Sequence, residues 1–149
     1  MILLRVKEKI PLRITEWLCG ITMIMIGLYL VIWPTAFARS GLMGFAAIAP
    51  LGTWVGASLI LGAARVGALV LNGHRPTVSA PIRCAVAVAG VGLFSSIAAG
   101  FAMATNEHGL PLGIILALAL MAGDLFNSAR AGVDTYNAVR SGSWIGFGH

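Results

Sequence analysis

Charge is what this chain has least of. Only 10% of its 149 residues are Asp, Glu, Lys or Arg, against about 25% in an ordinary soluble domain. That deficit excludes a normal water-facing surface and a second, soluble folded unit. Acid is scarcer than base, with five Asp/Glu against ten Lys/Arg. There are two cysteines, Cys19 and Cys84, at a spacing that matches no redox or zinc motif. Both map near span ends on the side expected to be cytoplasmic, so a disulfide is not expected, and small apolar packing is their expected task. The three histidines (His74, His108, His149) all fall outside the apolar runs. No intramembrane haem or metal pair is therefore on offer. Ser95 and Ser96 lie mid-run with no base near them in sequence, so nucleophilic catalysis has no support. No catalytic, cofactor or metal-binding motif stands above background, and no enzyme activity and no cofactor are expected.

Long apolar runs are what the chain does have. They cover roughly 17–33, 42–64, 84–104 and 110–129, and the mean hydropathy is +0.92. At 1.5 Å per helical residue each is about long enough to cross a ~30 Å hydrocarbon core. The expected fold is an all-α integral membrane protein, a bundle of four transmembrane helices forming one domain over residues 1–149. The expected spans are 15–33, 42–66, 82–104 and 110–130, with 131–149 a cytoplasmic helix extension and tail.

The basic residues alternate in side. Arg5, Lys7, Lys9 and Arg13 precede the first run, Arg65, Arg75 and Arg83 fall around the second connection, and Arg130 and Arg140 follow the fourth run. The first connection has only Arg39 and the third has none, a split of nine against one. The positive-inside rule then places both termini in the cytoplasm, as in a bacterial-type inner membrane. The net charge of +5 reads as topology signal and contact with anionic headgroups, and no nucleic-acid partner is expected. Residues 1–38 also carry a signal-peptide pattern, with Ala36-Phe37-Ala38 as a small-x-small site. The stretch from Trp17 to Trp33 is longer than a usual signal core, so a retained first span is expected.

Within this frame the residues suggest local roles. Leu3, Val6 and Ile10 share one helical face of a short N-terminal interfacial segment. Thr15 is placed to cap the first span, Glu16 suits its N-terminal end, and Trp17 and Trp33 bracket it. This first helix is expected to present the most lipid-like surface. Pro50 is expected to kink the long second run. Small residues recur every fourth position, as Gly52 and Gly56 in the second run and Gly92, Ser96 and Gly100 in the third. Such stripes let helices approach closely where lipid offers no hydrophobic drive to association. The third span is expected to be central and to face the second. The fourth turns polar after Met121, through Asp124, Asn127, Ser128, Arg130 and Asp134, and is expected to run into the cytoplasm to about Arg140.

Asp124 is the sharpest polar position. It lies about 8 Å inside the edge of its span, five residues at 1.5 Å each, where an unpaired carboxylate is costly. Arg65 sits at comparable depth on the second span, so an Asp124–Arg65 pair is expected, fixing helix register or forming a proton or ion site. Glu16 is the second position, with Arg13 or Arg83 as partner. A membrane glutamate in the first helix of a small four-span protein resembles that of small multidrug exporters, which implies proton-coupled transport. The aromatic and glycine context of that family is absent here. In size and composition the chain is similar to phage-type holins, which implies a pore. The functional expectation is a non-enzymatic, oligomeric membrane scaffold or pore. Two alternatives stand beside it, an accessory subunit of a larger membrane complex and a small transporter or channel using Asp124 and Glu16. The expected partners are the lipid bilayer and either further copies of the chain or a membrane complex.

Overall fold

The structure, a computed structural model, describes residues 13–38, 42–72, 76–104 and 112–140. The N-terminal interfacial segment, the three histidines and the tail with Trp144 and Phe147 lie outside the described residues. Every regular element described is helical. Helix α1 covers Ile14–Ile32, followed by a 3₁₀ segment at Pro34–Ala38. Helix α2 is short (Met43–Ile48), and α3 covers Leu51–Leu71. Helices α4 (Pro76–Ala104) and α5 (Leu112–Arg140) are 29 residues each. Four of these, α1, α3, α4 and α5, are long and apolar enough to cross a membrane.

The second apolar run is not one kinked helix. It breaks into α2 and α3 at Ala49, whose φ of −158° and ψ of 155° are extended, and at Pro50, whose ψ is also 155°. The proline ring disfavours the α conformation in the residue before it, so the chain turns a corner and starts α3 afresh. Trp54 locks this corner. Its indole Nε1 donates to the carbonyls of both Phe45 and Ala49, each at 3.1 Å. The helix that contains the third apolar run begins at Pro76 and continues through the interior Pro81. Proline at the first helical position loses no bond, because that N–H is unpaired in any helix.

Packing uses Gly100 of the third-run stripe, together with glycines outside the stripes. Helices α1 and α3 cross at Gly20 and Gly62, where a methyl group on Gly62 would stand 2.9 Å from the Gly20 carbonyl oxygen. Helices α2 and α4 cross at Gly44 and Gly100, the Gly44 Cα lying against the Gly100 carbonyl and the Gly100 Cα under the Phe45 ring. Among the described residues, Gly52, Gly56 and Gly92 are not contact positions, since a side chain there would meet nothing within 4 Å. Ser96 Oγ donates to the Gly92 carbonyl on its own helix at 2.9 Å. The reason is geometric: a four-residue period shows which residues share a face, not which face the neighbouring helix takes.

The two most extensive pairings are α4 with α5 and α1 with α3. The third span therefore leans on the fourth more than on the second. It is still the most buried crossing helix, at 44% of its most apolar window. The least buried one is α5, at 22%, against 33% for α1. The apolar core runs from Cys19 and Met23 through Phe94, Ile97 and Ala117 to Phe45 and Trp54.

Candidate functional site: a buried ion-pair layer

One end of the packed helices gathers every acidic side chain of the described residues. Glu16 comes from the first turn of α1, and Asp124 and Asp134 come from the second half of α5. Three arginines meet them, namely Arg13 at the start of α1, Arg65 near the end of α3 and Arg83 near the start of α4. The antiparallel course of the helices puts these positions in one layer. Arg13 lies 3.4 Å from Asp134, so residues near the two ends of the described chain meet in this layer.

The deeper half of the layer is the Arg65–Asp124 pair, with Arg65 Nη1 2.6 Å from Asp124 Oδ1. Their side chains are 2% and 0% exposed, which means that removing either partner strands the other in a dry interior. Asn127 Nδ2 donates to the same Asp124 oxygen at 3.4 Å. The other carboxylate oxygen, Oδ2, is buried without a hydrogen-bond partner and lies directly against the Cα of Gly90. A methyl group at Gly90 would occupy that oxygen's place, and it would come 2.7 Å from Met23 Cε as well. Gly90 is thus what lets α4 pass over the pair.

The shallower half is centred on Arg83. Its Nε donates to Glu16 Oε2 at 2.8 Å and its Nη2 to Glu16 Oε1 at 3.0 Å, the two-pronged geometry a guanidinium makes with a carboxylate. Both Nη1 and Nη2 also reach Asp134 Oδ2 at 3.3 Å. Arg13 joins the same two acids, to Glu16 at 3.2 Å and to Asp134 at 3.4 Å. Asp134 is the most open member, 37% exposed. Three positive and three negative groups therefore neutralise one another across α1, α3, α4 and α5.

Neutral groups tie the two halves together. Thr15 does not cap α1, since its Oγ1 donates to Asn127 Oδ1 at 2.9 Å. Asp124, Asn127 and Thr15 form a continuous hydrogen-bonded chain from the buried pair to an exposed residue of α1. Ser79 Oγ donates to Asn72 Oδ1 at 2.8 Å, clamping the end of α3 to the first turns of α4. Both cysteines are free thiols set against α5. Cys19 donates to the Leu120 carbonyl at 3.9 Å and Cys84 to the Ser128 carbonyl at 3.6 Å.

Of the residues singled out in the sequence, Asp124 and Arg65 are in contact, and Glu16 meets both Arg13 and Arg83. Sequence reasoning missed Asp134 and Asn127 as members. Their signal was the spacing Asp124, Asn127, Ala131, Asp134, which is three, four and three residues and so one face of a helix. Among the described residues no group of three or more His, Cys, Asp or Glu could hold a metal ion. No family model, no curated protein and no solved structure matches the chain.

Proposed function

We propose that this small multi-pass membrane protein is a non-enzymatic scaffold that assembles with further copies of itself in the bilayer. The observation that supports this is the small-residue surface left open on α3 and α4. Gly52, Gly56 and Gly92 have space beyond them, and Thr53, Ala57, Ala89 and Ser96 line a shallow groove between the same two helices. In lipid, small residues on an outer face lower the steric barrier to a neighbouring helix and allow backbone contact. The charged layer is suited to holding the protomer in one register. Its carboxylates are bound to arginines rather than lining an open polar path, which favours a scaffold over a transporter built on Asp124 and Glu16. We place the charged layer at the cytoplasmic side of a bacterial-type inner membrane, with both termini there, from the nine-to-one split of basic residues.

The test is the mass of the particle extracted in mild detergent. A homo-oligomer is expected, and Gly56→Leu with Gly92→Leu should reduce it to a monomer of unchanged melting temperature. A stoichiometric second protein in the particle would instead make the chain an accessory subunit. Dye leakage from cells or vesicles carrying the protein would mark the oligomer as a holin-like pore, and intact membranes at high expression would exclude one.

A further inference from the structure

The end of the bundle away from the charged layer holds a cavity of about 480 Å³, open at the side, within the ~300–1,000 Å³ usual for ligand sites. We propose that it is a resident site for one hydrocarbon chain of a membrane lipid. One wall is α1 from Ile21 to Tyr29, and the rigid wall is Phe45, Trp54 and Phe101. That aromatic wall is built in place. Phe45 stacks edge-on against both Trp54 (centroids 5.2 Å apart) and Phe101 (4.9 Å). Gly100 gives the Phe45 ring room, and the indole N–H of Trp54 holds the corner behind it.

The chemistry of the lining selects the occupant. Among the described residues no charged side chain lines the cavity, and Thr22 and Tyr29 bring hydroxyls to it. The Trp54 N–H already serves two backbone carbonyls. A polar headgroup drawn inside would lose its water for little more than the Thr22 and Tyr29 hydroxyls, whereas a methylene chain loses nothing.

Dimensions point the same way. Ile21 to Tyr29 is eight residue-to-residue steps, about 12 Å along the helix axis, close to the ~15 Å depth of one leaflet's hydrocarbon. The slot ends beside Phe37 and Leu42, beyond Trp33 and Pro34, where α1 has finished. A chain lying in it would run parallel to its neighbours in that leaflet, with its headgroup left at the interface.

Trp54 provides the test, because the residue is only 4% exposed and a lipid chain reaches it only from this cavity or from the groove between α3 and α4, which filling the cavity tells apart. The full chain, carrying Trp17→Phe, Trp33→Phe and Trp144→Phe, is reconstituted into vesicles of phosphatidylcholine brominated midway along one acyl chain. Trp54 emission should be lost to an extent comparable with that of exposed Trp33 in the matching Trp33-only protein. Filling the slot with Thr22→Phe or, separately, Ile26→Phe should protect Trp54 while Trp33 stays quenched, which also shows that the filled variants are inserted. An unquenched Trp54 in the unfilled protein overturns the proposal and means that the slot is closed or covered by another copy. Equal quenching with and without both fillings overturns it too. This outcome is separate from the oligomer test, since monomer and oligomer alike would hold the chain.

Discussion

Arg65→Met removes the positive half of a pair whose side chains are 2% and 0% exposed. It should destabilise the protein by about 3–5 kcal/mol, because Asp124 is left charged and alone. The double variant Arg65→Met with Asp124→Leu should recover most of that loss, since apolar replacement of a whole buried pair is often neutral. Thermal melting in detergent, followed by size exclusion, checks both. If the double variant stays as weak as the single one, the pair does more than satisfy itself. At Gly90 an added methyl collides with Asp124 Oδ2 and Met23, so Gly90→Ala should cost about 1–3 kcal/mol. Gly92→Ala, two residues on, meets nothing among the described residues and should leave a monomer's melting unchanged. The Asp124–Arg65 contact was legible because two ionisable residues at equal depth in lipid have few alternatives to each other. The role of Gly90 was not legible, because Gly90, Gly92 and Gly100 look alike in sequence and only the neighbouring helix distinguishes them.

At the level of elements, the corner between α2 and α3 is a designed break. Trp54→Phe keeps the ring and removes its two acceptors' shared donor, which should lower stability by about 1 kcal/mol. It should also loosen the far end while the charged end stays ordered. Amide hydrogen exchange resolved by segment would show this as faster exchange in α2 without change near Arg65. Uniform acceleration would contradict it. The sequence marked Pro50 as an interruption, but hydropathy alone ran across it, since a corner made of Ala49 and Pro50 is as apolar as a helix. The reverse happened at Pro81, which sits inside α4 without ending it. A proline's consequence depends on whether the carbonyl it frees and the turn it strains can be accommodated, and that is a tertiary property.

For the whole molecule, the sidedness of the charged layer is open to a direct check. Fusion of a cytoplasm-active reporter at either end should be active, and a periplasm-active reporter there should be silent. The same layer has a consequence for the order of synthesis. Of its six charges, Arg13, Glu16, Arg65 and Arg83 belong to α1, α3 and α4, while both Asp124 and Asp134 belong to α5. A chain made only as far as α4 therefore holds three arginines and one carboxylate. Its net charge in the membrane is uncompensated until the last helix arrives. Arrival of α5 and neutralisation of the layer are thus a single event, and a chain stalled before α5 leaves two of the layer's positive charges unpaired.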